Sequence, residues 1–162
     1  MITAPFNRRA LLQALAGATL IAIAGARTAR AAAPEIQVWK TPTCGCCKDW
    51  VRHLQDNGFA VRAIDVPDTA PIRSRAGIPA RLGSCHTALV DGYAIEGHVP
   101  AREIQRLLRE RPKAVGITVP GMPIGSPGMD GAAYGYRQDP YEVLLVRADG
   151  STQVFARYPG NR

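Results

Sequence analysis

Aromatic residues are scarce. They make up 6% of the 162 residues, which leaves few platforms for stacking bases. The chain also lacks any basic run of the kind that follows a phosphate backbone. Its formal charge of +7 is concentrated elsewhere: Arg8, Arg9, Arg27 and Arg30 supply four of those charges within residues 1–33, where no acid stands. Nucleic acid is thereby excluded as the partner. The chain has no HExxH, no phosphate-binding glycine loop, no defensible Ser/His/Asp arrangement and no internal repeat. Cysteine and methionine are few, at four and three, but they are not scattered. Hydrophobic residues reach 46%, enough for a core and too many for a disordered chain. The length allows one domain, or one with an extension.

The first segment reads as an address. Asn7-Arg8-Arg9-Ala10-Leu11-Leu12-Gln13 opens an alanine-rich apolar stretch from Leu11 to about Ala26. Ala29-Arg30-Ala31 then supplies a small-x-small cleavage site. The stretch is shorter than the roughly 20 apolar residues of a membrane span. Residues 1–31 are therefore expected to be a cleaved export signal, and the arginine pair resembles the twin-arginine (Tat) type. Asn7, Leu11 and Gln13 depart from that motif's usual Ser/Thr, Phe and Lys. Residues 32–162 are expected in the periplasm, soluble and not inserted in the membrane.

The remainder reads as an α/β chain. Residues 35–40 alternate as a strand, and Thr43 is placed to cap a helix from Cys46 to Asn57 with Trp50, Val51 and Leu54 on one face. Residues 59–66 read as a second strand, and a short helix is expected around 70–76. Asp91-Gly92 is a two-residue hairpin signal between Thr87–Val90 and Tyr93–Glu96. Pro100 starts a helix whose stripe is Ile104, Leu107 and Leu108, and Pro112 ends it. This order is that of a thioredoxin-like domain. Beyond residue 112 the composition turns to glycine and proline over 116–135, and Tyr141–Val146 with Gln153–Tyr158 form a second hairpin. Residues 112–162 are read as a C-terminal extension.

Chemistry concentrates in sulfur. Cys44-Gly45-Cys46-Cys47 holds the thioredoxin spacing, Cys44-x-x-Cys47, with a third thiol inserted. A helix N-terminus favours thiolate over thiol. Adjacent Cys46 and Cys47 pair poorly, because neighbouring helical side chains diverge. Cys85 precedes the strand Thr87–Val90, where a thioredoxin-like fold usually carries a cis-proline; Ser84-Cys85-His86-Thr87 has none. Two structural disulfides suit an exported protein of this size, and four thiolates also suit a closed zinc site. Soft thiolates crowded three and one, with methionine at hand, suit Cu(I) better. Met122 and Met129 fall in a Gly/Pro-rich loop, where they serve as ligands or merely cover an apolar patch. His86 reaches the same metal as Cys85 only if the backbone bends there, since strand neighbours face opposite ways. His53 is expected to be solvated or partly buried, and His98 structural.

On Thr41–Trp50, Ser84–Thr87 and the Gly121–Asp130 loop, the chain resembles the CopG-like family of periplasmic metal-binding proteins. The resemblance implies a thioredoxin-like fold, copper binding and an association with copper resistance. It carries over most directly to Cys44, Cys46, Cys47 and Cys85, with His86, Met122 and Met129 as further candidate ligands. The expected activity is capture or transfer of Cu(I), more than one ion per chain, with zinc as the rival occupant and other periplasmic copper-handling proteins as partners. Catalysis is not required. The alternative is a thiol–disulfide or copper-coupled oxidoreductase using Cys44 and Cys47.

If the arginine pair is read by the Tat machinery, Arg8→Lys combined with Arg9→Lys leaves an uncleaved precursor in the cytoplasm, visible by fractionation and blotting. Normal periplasmic protein from the double variant removes the Tat assignment and leaves the general secretory route.

Overall fold

Alternation along Ile36–Lys40 sets the first strand, β1. Ile36, Val38 and Lys40 are buried while Gln37 and Trp39 are half-buried, as period-two geometry requires of a strand covered mainly on one face. The computed structural model describes residues 34–161, so the expected export signal lies outside the described residues. After β1 come helix α1 (Gly45–Asp56), β2 (Val61–Asp65), a short helix α2 (Ala70–Arg75), β3 (His86–Val90), β4 (Tyr93–Glu96), α3 (Ala101–Glu110), β5 (Gly116–Thr118), β6 (Tyr141–Val146) and β7 (Thr152–Tyr158). The seven strands form one mixed sheet in the order β2-β1-β3-β4-β5-β6-β7. β1 runs parallel to β2 across the α1 connection and antiparallel to β3. Among the described residues no helix is long and apolar enough to cross a membrane.

The two hairpins follow from their turns. Asp91 and Gly92 both adopt positive φ, 48° and 86°, the handedness that matches the twist of the flanking strands. The register is then Val90 with Tyr93 through Thr87 with Glu96. β6 and β7 pair from Val146 with Thr152 to Tyr141 with Tyr158, with one irregularity at Val143/Leu144.

Two expectations change. The helix opens at Cys44 rather than Thr43, and no side-chain cap bond is made there. Within the Gly/Pro-rich stretch, Gly116–Thr118 is a fully buried strand, parallel to β4 and antiparallel to β6. Three residues are too few to display a period. A Cβ on Gly116 would lie 1.8 Å from the Ala94 carbonyl oxygen, so the glycine that reads as loop is what lets two backbones close up. Through β5 the C-terminal hairpin continues the same sheet.

The core lies between the helices and this sheet. Trp50 and Leu54 of α1 and Ile104 and Leu107 of α3 are fully buried against Ile36, Val38, Ile95 and Ile117. Val51 and Leu108 lie at the margin of that cluster. The indole Nε1 of Trp50 donates to the Val99 carbonyl at 2.8 Å, satisfying its one polar atom inside the core. Gly128 is seated on the first turn of α1: a Cβ there would sit 2.7 Å from the Cys46 oxygen and 2.7 Å from the Trp50 nitrogen, and its φ is +84°. Glycine alone meets both demands without strain. Gly128→Ala is accordingly expected to lower stability by at least about 1 kcal/mol, read as a fall in melting temperature. An unchanged melting temperature would mean that the loop is not seated on the helix.

Candidate metal centre

Three elements bring the sulfurs together. The β1–α1 turn supplies Cys44, the first turn of α1 supplies Cys46 and Cys47, and the bend entering β3 supplies Cys85. The four ligand atoms all lie within 4.8 Å of one another. Cys44 Sγ is 3.5 Å from Cys46 Sγ, and Cys85 Sγ is 4.0 Å from Cys46 Sγ and 3.3 Å from Cys47 Sγ. Cys44 and Cys47 are joined in a disulfide, so the free thiols are Cys46 and Cys85. The pairing follows the thioredoxin spacing and leaves the two adjacent cysteines unpaired with each other, as helical divergence requires.

Two imidazoles complete the cluster, and one of them is a correction. His98, read from the sequence as structural, places Nε2 3.1 Å from Cys85 Sγ. Its Nδ1 lies 2.8 Å from the Pro127 carbonyl. A carbonyl only accepts, so Nδ1 carries the proton and the lone pair of the neutral ring sits on Nε2, facing the sulfur. That is the arrangement by which a second partner orients a metal-binding histidine. Hairpin arithmetic contained the signal: continuing the Thr87–Glu96 register outward sets His86 beside Gly97 and Cys85 beside His98. The Gly97 N–H indeed donates to the His86 carbonyl at 3.0 Å.

His86 is fully buried, with its ring 4.2 Å from Trp50 and 4.9 Å edge-on to His98. Its Nδ1 is 3.3 Å from Cys85 Sγ. Strand alternation does not separate the two side chains, because Cys85 lies in the bend before β3 begins. His86 Nε2 is buried with no hydrogen-bond partner. Burial, and then the neighbouring His98, hold the pKa of His86 well below the usual histidine range, and burial also lowers that of His98 against Pro127 and Asp130. Both rings are neutral donors at neutral pH. Burial and the adjacent Cys46 push the Cys85 thiol up to about 12, so without a cation its sulfur keeps its proton. At this fourth cysteine burial, not the helix N-terminus, is the largest influence.

The donor set fits a soft cation. Four sulfurs converge in one group, and Cys85 joins two neutral imidazoles in a second, one imidazole carrying an orphaned nitrogen. The charge needs a counterion once the thiols ionise. Both methionines lie in the segment between β5 and β6. Met122 is 50% exposed. The Met129 sulfur accepts a hydrogen bond from the Tyr134 hydroxyl at 3.3 Å, which fixes its thioether on the loop that also holds His98 through Pro127. His53 is half-buried and its Nε2 accepts from the Ala101 N–H at 3.0 Å, tying α1 to the start of α3. No cis peptide bond occurs among the described residues, in keeping with the absence of proline at the Cys85 loop.

A family described as a protein of unknown function, DUF411, matches residues 82–129, the segment that carries Cys85, His86, His98 and both methionines. None of the curated proteins matches the chain. Two solved structures of a copper resistance protein copG, form 2 and form 1, are similar to it at 48% sequence identity and a TM-score of 0.73. The first covers 78% of this chain and the second 79%, and in both cases 99% of the solved chain is matched. With that identity over almost the whole of the relative, and with its cysteines gathered at one site, this chain belongs to the CopG-like family.

Proposed function

We propose that this protein is an exported, periplasmic copper-binding protein that captures Cu(I) on its cysteine cluster, stores it or hands it on, and so contributes to copper tolerance. In this reading residues 1–31 are removed on export, and the mature chain is a thioredoxin-like domain whose segment 112–162 extends the sheet. The observation that carries the proposal is the convergence of Cys44, Cys46, Cys47 and Cys85 within 4.8 Å. The names of the related solved structures support copper as the metal.

Charge counting supports more than one ion. Once the Cys44–Cys47 disulfide is reduced, the four cysteines supply up to four thiolates in a partly desolvated site, and a single Cu(I) offsets only one of their four negative charges. Uncompensated charge there is costly. Sulfur bridges two metals readily, so further Cu(I) neutralises the cluster through the same side chains, with four ions as the limit. A single tetrahedral zinc is the rival occupant. Anaerobic titration with Cu(I) of protein first reduced with a phosphine, followed by desalting and elemental analysis, is expected to find more than one and up to four copper per chain. One tightly held copper, or a preference for a single zinc, overturns the cluster.

The Cys44–Cys47 disulfide favours a second reading, a thiol–disulfide or copper-coupled oxidoreductase. Opening the disulfide takes two electrons and yields two thiolates, so such an enzyme needs an electron donor and a partner; a store needs reduction only before loading. Cys46→Ser separates the two. It leaves Cys44-x-x-Cys47 intact and, at a half-buried position, should cost about 1 kcal/mol of stability or less. Copper capture predicts lower Cu(I) affinity or at least one ion fewer per chain. Disulfide-reducing activity that survives the change while copper binding is unaffected would establish the oxidoreductase instead.

A further inference from the structure

Two buried charged side chains stand behind Cys85. Glu96 at the end of β4 is wholly buried and Arg73 of α2 is 13% exposed, and their Oε1 and Nε atoms meet at 2.7 Å. Burying both charges is tolerable only when their remaining hydrogen-bonding capacity is also satisfied. Here one residue serves both partners. The Ser84 N–H donates to Glu96 Oε1 at 2.7 Å, and the Ser84 carbonyl accepts from Arg73 Nη2, also at 2.7 Å. Glu96 Oε2 accepts from the Thr87 hydroxyl at 2.6 Å, and Arg73 Nη2 reaches Thr69 Oγ1 at 3.3 Å. Ser84 and Thr87 flank Cys85 and His86, so a single carboxylate grips both ends of the segment that carries those two side chains.

The surroundings are shaped for this grip. A Cβ on Gly83 would lie 2.9 Å from Arg73 Cζ, and its absence lets the guanidinium reach the backbone. The Ser84 hydroxyl donates to the Gly121 carbonyl, which extends the same anchorage to the start of the methionine loop. A surface ion pair would need only its two partners. This one is spent on the backbone of the residue next to a sulfur.

We propose that Arg73 and Glu96 are positioning residues for the metal centre: their paired hydrogen bonds hold Ser84 so that Cys85 Sγ stays in reach of Cys46 and Cys47. The metal consequence rests on the copper reading above, while the placement of Cys85 does not. Arg73→Lys probes it, because an ammonium keeps the charge but lacks the planar fork that serves Glu96 and Ser84 together.

Two measurements on the full chain test it. In metal-free protein with the Cys44–Cys47 disulfide intact, the free thiols are Cys46 and Cys85, 4.0 Å apart. A dibromobimane reagent bridges them when each thiol displaces one bromide as HBr, and fluorescence reports the double attachment. Arg73→Lys is expected to slow bridging, and to speed the loss of bound Cu(I) to a chelator, by about tenfold each, the scale on which partners behind a metal ligand act. Ile117→Val, a core change far from the loop in sequence, serves as the control at matched melting temperature and should bridge like the parent. Should Arg73→Lys fail to fold, Glu96→Gln replaces it with the same outcomes at stake. Bridging at the parental rate in the variant, or equally slow bridging in the control, overturns the proposal. Because the bridging measurement contains no metal, its outcome holds even if the copper reading fails.

Discussion

The burial of Trp50 is the contact on which the rest of the site depends. Its ring is fully enclosed, its Nε1 is bonded to Val99, and its face lies against His86. Its backbone nitrogen is the surface on which Gly128 rests. Three pieces of chain distant in sequence thereby meet at one residue of the cysteine helix: the strand bearing His86 and the β4–α3 connection at its side chain, and the Gly/Pro-rich loop at its backbone. Burying so large an aromatic contributes on the order of 3–5 kcal/mol to such a core. The sulfur cluster sits one turn of helix away, at the N-terminal edge of this packed region. Its geometry follows from the elements packed in that core.

That inheritance explains the state of the donors. Cys85, His86 and His98 lie where burial disfavours charge on each of them, the thiol pushed up and both imidazoles pushed down. Without a cation Cys85 keeps its proton and both rings keep their lone pairs. A soft monovalent ion replaces protons on sulfur and costs the pocket little additional charge. A hard divalent ion preferring oxygen finds no carboxylate among the four cysteines and two histidines that form the two converging groups. The disulfide is a further control on the same sulfurs, since Cys44 and Cys47 cannot act as thiolates while bonded to each other. The two proposed readings, copper capture and thiol–disulfide chemistry, would draw on one set of atoms, and the state of that bond separates them.

The loop from Gly121 to Asp130 has a part in this that its composition conceals. Pro127 orients the His98 ring through its carbonyl, Gly128 allows the close approach to α1, and Tyr134 holds the Met129 sulfur. The segment returns through β6 and β7 to the sheet, so it is tethered at both ends. A stretch rich in glycine and proline is here a fitted cover for one end of the helix.

Much of this was legible in the chain alone. Period-two and helical patterning placed β1, α1 and α3 to within about two residues, because each buries one face and the pattern records it, and the Asp91-Gly92 turn signal placed the β3–β4 hairpin as closely. Cys44-x-x-Cys47 with its inserted Cys46 identified soft-metal or dithiol chemistry, because sulfur is rare here and its spacing is a local matter. What only the tertiary structure decided involves partners distant in sequence. β5 is three residues with no readable period, made a strand by the backbones on either side. His98 looks structural beside Pro100 and joins the site only through the hairpin register that sets it opposite Cys85. Nothing in the sequence singles out Glu96 and Arg73, and their burial around Ser84 depends on α2 folding back over the β3–β4 ladder. Local patterns record which face a residue turns to the core; which other residue waits there is a property of the closed fold.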